Sequence, residues 1–446
     1  MSVNIKKILG MLWIIISIFF ILNLDICKKQ EQTKSDQLLQ QLIDQNAGGT
    51  VSLPRNKEYK INDTLIIPSN TSIIGNGSKI FNDTKNITLL KVGENVKIYN
   101  LEIEGSGSSK YNDESKAIEI MGSNSSDYTS IVYLENCYIH DISGYGIYLK
   151  YAKNVSIKNS RISRIGYAGI HGMSVKNVIV DNVEINKVGP GKSSSISGEK
   201  IAYGITFTQS TTFKGVSANP RSENCIVINS TISDIAWEAL DTHGGISISF
   251  INNIISNSKF GISVVPVSVK NDNGITMKTL APQFCYISGN KLYGTGQGSA
   301  IVVQGAYNSD PQTGKVNLAK PTEYVKNSIV SNNKSVGFGQ KGNDARGAIY
   351  IRETLNLIVK GNRVEESYMN GITLHYSNIN FSITDNKIKN IRVSKQNIPI
   401  GISVKGSYNK GIINNNKISN FDSKNNKLIK KLFIDVKTEN KIKYFN

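Results

Sequence analysis

A repeat of 23 residues constrains the fold of this chain more than any other feature of its sequence. Asn136, Asn159 and Asn182 each begin an Asn-x-x-Ile pattern and lie 23 residues apart. Asn229 and Asn252 repeat that spacing. Most copies contain a short β-prone run, a turn with Asn or Gly, a second run and then a Gly-Ile run, which is what one rung of a parallel β-helix requires. The sequence therefore predicts an all-β solenoid with Ile in the core and stacked Asn side chains in the turns.

A short helix and three β-prone phrases precede these repeats. Apolar residues between positions 35 and 46 fall on one helical face. Gly-Gly-Thr-Val-x-Leu-Pro at 48–54, Tyr-x-Ile at 59–61 and Ile-x-Gly-Asn-Gly at 73–77 follow. This series resembles the opening of right-handed parallel β-helix proteins of the pectate lyase superfamily. The resemblance implies a single-stranded right-handed β-helix with an N-terminal capping helix, because an uncapped first rung would expose sheet edges.

The N-terminus has the pattern of an export or membrane-anchoring segment. Lys6 and Lys7 precede a mostly apolar run from Ile8 to Leu22, and no small-x-small cleavage pattern follows. We therefore expect the protein outside the cytoplasm, either secreted or anchored by this N-terminal membrane segment. We divide the chain into a signal or anchor (1–30), a linker and capping helix (31–47), a β-helix domain (48–425) and a C-terminal cap or tail (426–446).

The charge balance favours an anionic partner. The chain has 52 Lys and Arg against 34 Asp and Glu, a formal net charge of +18 at pH 7, and such an excess attracts anions over a distance. No basic run with interleaved aromatic residues is present, so we do not expect nucleic acid. The four cysteines lack the spacing of a disulfide framework or a metal site. We expect an anionic polysaccharide as the partner, and neither a metal nor another cofactor.

Charged residues recur at one turn position of successive rungs. Asp141, Arg164, Lys187 and Asp234 occupy that position. Opposite charges on neighbouring rungs can pair. We therefore interpret Arg164 as a partner of Asp141 in the turn, and not as a catalytic residue.

One stretch, from Trp237 to Gly245, departs from the repeat and carries the candidate site. Where other rungs have Gly-Ile, this rung has Ala-Leu at 239–240, followed by Asp241 and His243. Side chains alternate along a strand, so an inward Leu240 directs Asp241 and His243 outward. The same rule places side chains of earlier rungs on this outer face: Tyr148, Lys150, His171 and Thr206.

Insertions predict a cleft above this stretch. Long excursions occur at 209–224, 266–283 and 305–323, whereas Gly244 and Gly245 lead directly into the next strand. A low rung between raised neighbours forms a cleft of the shape that an extended polymer needs.

Proton abstraction from a uronate is the chemistry that we prefer for this face. Elimination or epimerisation needs a base near the acidic carbon and a cation against the carboxylate, and elimination also needs an acid for the leaving oxygen. Asp241 and His243 are the candidate bases. The other roles fall to Tyr203 or Tyr148 as the acid, Arg221 or Lys214 from the cleft wall as the cation, and Trp237, His171, Tyr148 and Lys150 as further substrate contacts.

A local phrase favours the same chemistry by resemblance. Mannuronan C-5 epimerases carry Tyr-Gly-Phe/Ile-Asp-Pro-His on a β-helix strand, and residues 240–243, Leu-Asp-Thr-His, are similar in their apolar-Asp-x-His core. Glu238 stands where the tyrosine belongs, and Thr242 replaces the proline. The shared core favours Asp241 and His243 as the reacting pair.

Three alternatives stay open. Hydrolysis needs two carboxylates, and Glu238 and Asp241 supply them if a turn brings Glu238 onto the outer face. Asp241, His243 and His171 are also metal-ligand types, although two rungs separate the histidines. The third alternative is a non-catalytic glycan-binding or structural β-helix of a cell surface or a phage tail, since one fold hosts many functions.

Overall fold

The computed structural model shows a stack of short parallel strands. The described residues are 38–84, 86–107, 110–189, 191–193, 200–209, 220–270, 276–309, 316–339, 346–392, 399–419, 430–434 and 440–445. The expected membrane segment at residues 8–22 lies outside them, as does Lys214. Among the described residues, no helix is long and apolar enough to cross a membrane.

Each rung contributes strands to three faces, and strands of neighbouring rungs pair in parallel. This arrangement confirms the parallel β-helix. We call the faces the site face, the second face and the third face. Four long strands bend and serve two faces each: Ser72–Phe81, Val96–Glu104, Thr231–His243 and Ile254–Val265.

Apart from the strands of three short hairpins, the other described strands belong to one face each. The site face has Leu65–Ile67, Thr88–Val92, Lys116–Met121, Tyr145–Lys150, Ala168–Met173, Tyr203–Thr208, Ile301–Gln304, Ile349–Arg352, Asn370–His375, Ile400–Lys405 and Lys430–Ile434. The second face has Thr50–Ser52, Thr129–Glu135, Ala152–Lys158, Lys176–Asp181, Ile226–Ile228, Ser249–Ile251, Tyr286–Ser288, Val325–Lys326, Ile329–Ser331, Thr354–Leu355, Ile358–Lys360, Ile379–Thr384, Lys410–Asn414 and Lys441–Phe445. The third face has Glu58–Lys60, Tyr138–Ile142, Arg161–Ile165, Glu184–Val188, Lys291–Tyr293, Lys334–Val336, Arg363–Glu365, Lys387–Lys389 and Lys417–Ile418.

The core is a column of aliphatic side chains inside the stack. Ile147, Ile170, Ile205, Leu240 and Ile262 follow one another in register on the site face. Each is fully buried, and burying such a side chain stabilises a protein by about 1.5–3 kcal/mol. The inward position of Leu240 confirms the alternation on which the site prediction depends.

The N-terminal helix, at residues 38–45, caps the first rungs as predicted. Leu39 and Ile43 are buried against the core. The Gln40 side chain donates to the Ile66 carbonyl at 3.0 Å and accepts from the Ile66 amide at 2.9 Å, so it replaces a missing strand at that edge. Leu38, which we placed on the same helical face, is exposed instead.

Asparagines stack through the turns between the second and third faces. The side-chain amide of Asn253 donates to the Asn290 side-chain oxygen at 3.0 Å, and Asn290 donates to Asn333 at 2.9 Å. Asn333, Asn362 and Asn386 continue the series at 3.0 Å each. All five side chains are buried. This asparagine ladder confirms the predicted stacking.

The predicted charge pair in the turns is also present. Arg164 Nη2 lies 2.6 Å from Asp141 Oδ2. The guanidinium holds the pKa of the Asp141 carboxyl below its usual value. Arg164 therefore serves the stack and not the candidate site.

Two of the predicted excursions are antiparallel hairpins. Val267–Lys270 pairs with Thr276–Leu280, and Ala306–Ser309 pairs with Val316–Glu323. A further small hairpin, Lys192–Ser193 with Lys200–Ile201, was not predicted. Most of the excursion at 209–224 lies outside the described residues.

Parallel strand pairing extends into the segment that we assigned to a C-terminal cap or tail. Lys430–Ile434 pairs in parallel with Ile400–Lys405, and Lys441–Phe445 pairs with Lys410–Asn414. The solenoid therefore continues into this segment, although its sequence has lost the Asn-x-x-Ile pattern that marks the other rungs.

Candidate active site

A single row of outward side chains leads across the site face to Asp241. Tyr148 is in register with His171, His171 with Thr206, and Thr206 with Asp241. Ser263 follows on the next strand. This row confirms the outward direction predicted for Asp241 and places His171 two strands away from it.

Glu238 reaches the same face through an irregularity in its strand. The register of Thr231–His243 against the next strand shifts between Ile235 and Glu238. One carboxylate oxygen of Glu238, one of Asp241 and one ring nitrogen of His243 all lie within 4.8 Å of one another. Glu238 therefore supplies the second carboxylate that the hydrolysis alternative requires at the site. We call these three residues the central triad.

The carboxylate of Asp241 is fully buried. Its Oδ2 accepts from the Thr206 hydroxyl at 2.6 Å and lies 3.2 Å from His243 Nε2. Its Oδ1 has no hydrogen-bond partner among the described residues. Burial raises the pKa of the Asp241 carboxyl well above its ordinary value, and the Thr206 hydrogen bond opposes this increase.

His243 is the member of the triad that reaches the surface. Its side chain is 29% exposed, whereas that of Asp241 is 0% exposed. Nδ1 lies 3.2 Å from the carbonyl oxygen of Pro266, and Nε2 faces Asp241. Because the Pro266 carbonyl only accepts, this contact places a ring N–H at Nδ1. Nε2 then faces the Asp241 carboxyl, at a distance over which a proton can pass between the two groups.

Glu238 is a buried acid at neutral pH. Burial, and then the nearby Asp241 carboxylate, raise the pKa of Glu238 to about 8, and His243 and Ser263 oppose this increase. Opposite Glu238 on the neighbouring strand lies Tyr203. A carboxyl group with a pKa near the working pH can either donate or accept a proton.

Tyr203 lies beside the triad, as its predicted role as the acid requires. Its ring centroid is 6.3 Å from that of His243 and 5.6 Å from that of Tyr167. Burial and the Glu238 carboxyl raise the pKa of Tyr203 well above its ordinary value. The phenol therefore keeps its proton at neutral pH.

His171 and Tyr148 belong to an aromatic cluster next to the triad. Their rings are parallel, with centroids 5.8 Å apart, and Tyr145 and Tyr167 pack against His171. Burial raises the pKa of Tyr148 to about 12. The alternative metal site was predicted from Asp241, His243 and His171. The structure instead places Glu238 next to Asp241 and His243, so His171 is wrong as the third ligand.

Arg221 does not serve as the cation that we expected. Its guanidinium donates to the carbonyl oxygens of Gly244, Gly245 and Ala281, with Nη2 at 3.4 Å from Gly245. Burial lowers its pKa. These hydrogen bonds stabilise the turn after the triad. Lys214, the other predicted cation, lies outside the described residues.

The two remaining predicted contacts lie at the edge of the site. Trp237 packs against Phe260, with centroids 5.4 Å apart, and the Lys259 ammonium lies 4.1 Å from its ring. The Lys150 ammonium lies 5.6 Å from the ring of Tyr151. Trp237 is only partly buried, so part of its side chain is accessible to solvent.

The predicted open cleft is not present directly above the triad. Glu238 and Asp241 are 7% and 0% exposed. The base of the hairpin after Val265 packs against the turn that follows the triad: a side chain at Gly244 would meet Val267 at 2.6 Å and the Leu280 carbonyl at 3.1 Å. Gly244 therefore gives room to the hairpin. Hydrophobic periodicity does not indicate where a hairpin packs, so the sequence could not show this contact.

The similarity of this chain to known proteins lies in its fold. No family model matches the chain, and no curated protein matches it. The catalytic unit of a thermostable GH87 α-1,3-glucanase from Streptomyces thermodiastaticus strain HF3-3 is 14% identical, with a TM-score of 0.51, and the match covers 92% of this chain and 66% of that chain. A GH87 α-1,3-glucanase catalytic domain in complex with tetrasaccharides is 12% identical, with a TM-score of 0.52 and coverage of 90% and 63%.

The A-module of a mannuronan C-5 epimerase from Azotobacter vinelandii is 13% identical, with a TM-score of 0.47 and coverage of 92% of this chain and 94% of that chain. This chain spans slightly less than two thirds of the length of the two glucanase chains. The two glucanase structures show the β-helix fold independently of the repeat count.

Proposed function

We propose that this protein is an enzyme that acts on a polysaccharide by proton transfer at the central triad. The observation that carries the proposal is the convergence of Glu238, Asp241 and His243 within 4.8 Å on the outward side of one rung. Buried carboxylates with raised pKa values cluster at functional sites. A structure with the same fold, a GH87 α-1,3-glucanase, is in complex with tetrasaccharides, which supports a glycan as the ligand.

The preferred reaction is proton abstraction next to the carboxylate of a uronate. The Glu238 carboxylate removes the proton from that carbon, and the electron pair moves toward the substrate carboxylate. The proton of the Asp241–His243 pair stabilises the charge that develops there. In elimination the adjacent C–O bond then breaks, and Tyr203 protonates the leaving oxygen. In epimerisation a proton returns to the opposite side of the same carbon.

The charge of the site face supports an anionic substrate. Arg352, His375 and Lys405 are in register on consecutive strands. Their strands lie about 4.8 Å apart and are C-terminal to the strand that carries the triad. Arg352 is also paired with Glu353 at 2.7 Å, so an acidic glycan that runs along the face would share this cation with Glu353.

Hydrolysis is the second candidate, and the spacing of the two carboxylates favours it. Oxygens of Glu238 and Asp241 lie within 4.8 Å of each other, which is near the separation of about 5–5.5 Å in retaining glycosidases and below the 6.5–9.5 Å, roughly, of inverting ones. The complete burial of Asp241 keeps it from direct attack on a sugar. For this reason we place hydrolysis second.

A screen of polysaccharides tests the proposal. Uronate-containing and neutral polymers are incubated with the full chain, and ultraviolet absorbance, new reducing ends and proton NMR report elimination, hydrolysis and epimerisation. Glu238→Gln, Asp241→Asn and His243→Ala are expected to lose the activity. Glu119→Gln is the matched control, since Glu119 is an equally buried carboxylate on the same outward row. Retained binding without any of the three products would mean a non-catalytic glycan-binding protein.

We also propose that the protein acts outside the cytoplasm and that the run from Ile8 to Leu22 holds it at the membrane. Fractionation of cells that express the full chain, with and without residues 1–30, tests this. The full chain is expected with the membrane and accessible to an external protease, and a cytoplasmic full chain would contradict the proposal.

A further inference from the structure

The last five rungs of the third face carry one basic side chain each, at the same position. Lys291 is in register with Lys334, Lys334 with Arg363, Arg363 with Lys387, and Lys387 with Lys417. Adjacent strands lie about 4.8 Å apart. Four of the five side chains are exposed, and Lys334 is half-buried. We call these five residues the basic strip.

The asparagine ladder sets the position of the basic strip. The ladder continues from Asn386 to the half-buried Asn416. Each of the five basic residues directly follows an asparagine of this ladder; for example, Lys291 follows Asn290 and Lys417 follows Asn416. The ladder amides are bonded to one another at 2.9–3.0 Å. The five cationic side chains therefore start from a rigid, evenly spaced backbone.

The same register position on the N-terminal rungs of the third face, which belongs to the same column of side chains, has a different charge pattern. Glu58, Lys79 and Glu102 alternate in sign on successive strands. Lys79 Nζ lies 3.0 Å from a Glu58 oxygen, and Arg161 Nε lies 3.5 Å from a Glu184 oxygen. The general abundance of lysine in this chain thus does not by itself produce an all-cationic column.

Little negative charge compensates the strip. Glu365 contacts Arg363, and it also lies 3.2 Å from the Lys389 ammonium, which adds a further cation. Among the described residues, Lys291, Lys334, Lys387 and Lys417 form no ion pair. Like charges directly opposite each other on neighbouring strands are destabilising. Such a column is costly to the free protein and favourable once a polyanion covers it.

We infer that the basic strip binds a linear acidic polysaccharide, whose successive negative charges lie along five rungs of the third face. A linear chain fits because the five charges are in a single file along the stack. The strip lies on a different face from the central triad, so it holds the polymer without taking part in the reaction. The inference does not depend on which reaction the triad performs.

Binding of polymers to the full chain tests this inference. The variant Lys291→Gln, Lys334→Gln, Lys387→Gln and Lys417→Gln is compared with wild type by titration with polygalacturonate, a sulfated glycan and neutral dextran. We expect the variant to bind the acidic polymers at least tenfold more weakly at low salt. Wild-type binding should weaken steeply as salt is added, because salt screens these contacts, and dextran should not bind at the strip.

The matched control is Lys79→Gln with Arg161→Gln, which removes two cations from the earlier, charge-paired part of the same column. This control should bind as wild type does. The melting temperature of the four-site variant should not fall, because adjacent like charges are removed, so misfolding cannot explain lost binding. Unchanged affinity of the four-site variant would overturn the inference. So would a strip-dependent preference for duplex DNA or anionic lipid vesicles over the acidic glycans.

Discussion

The imidazole of His243 lies 3.2 Å from the carboxylate of Asp241, and only the imidazole reaches the surface. The two side chains are two residues apart on one strand and point the same way. In the proposed mechanism Asp241 therefore acts through His243, as a positioning residue. His243 is the exposed member of the triad, and Glu238, at 7% exposure, lies just beneath the surface.

Thr206 holds Asp241 in place through a 2.6 Å hydrogen bond from the neighbouring strand. Thr206→Val keeps the shape and removes this donor, which leaves His243 as the remaining partner of the buried Asp241 Oδ2 and costs about 1 kcal/mol. We expect kcat on the preferred glycan to fall about tenfold, the equivalent of about 1.4 kcal/mol. Thr373→Val, on the same outward row, is the control. Equal losses in both variants would show a general effect on folding.

The stability of the protein should depend on pH through Glu353. Burial raises the pKa of this carboxyl from 4.5 to about 8, in spite of its contact with Arg352. Because this pKa is higher in the folded than in the unfolded protein, the protonated Glu353 carboxyl makes its full contribution to stability below pH 4.5. This contribution is lost as the pH rises to about 8. Urea midpoints should therefore decrease over this interval, and Glu353→Gln should flatten the decrease. Midpoints that rise with pH in wild type would contradict this.

The asparagine ladder should contribute strongly to stability. Asn333 donates to the Ile287 carbonyl and to the Asn362 side chain, each at 3.0 Å, and accepts from Asn290. Asn333→Ala leaves several buried groups unsatisfied, so we expect a loss of at least about 2 kcal/mol in the free energy of unfolding. Asn186→Ala, which removes an exposed hydrogen bond to Glu184, should change it by less than about 0.5 kcal/mol. Comparable effects of the two substitutions would refute the special role of the buried ladder.

The proton transfer that we propose at the triad needs no metal ion, so we expect chelation to have no effect. Dialysis against EDTA should leave the glycan activity unchanged, and added Mn²⁺ or Zn²⁺ should not increase it. Activity that disappears with EDTA and returns with one metal would instead mean that the triad binds a cation.

The sequence predicted the fold and the outward row well, because both follow from strict periods. The 23-residue repeat places Leu240 in the core, and alternation then fixes Asp241 and His243. Glu238 could only be a conditional candidate, because the irregularity between Ile235 and Glu238 that brings it to the face has no periodic signal.

Side chains that depend on loop packing were not predictable. Arg221 was expected to face the substrate, yet it donates to the carbonyl oxygens of the turn after the triad. Pro266, which fixes the ring of His243, lies in an excursion whose direction no repeat specifies. The basic strip did have a signal, since a basic residue follows each of the last five ladder asparagines.

The pH dependence of glycan cleavage tests the central claim most directly. With Glu238 as the base, kcat/KM of the wild type should rise with pH and level off above about 8, where this carboxyl has lost its proton. Glu238→Gln should lower the rate by about 10²–10⁴-fold and remove this inflection, while Glu119→Gln keeps both. A wild-type rate that instead falls as the pH passes 8, or an inflection that survives in Glu238→Gln, would contradict the assignment.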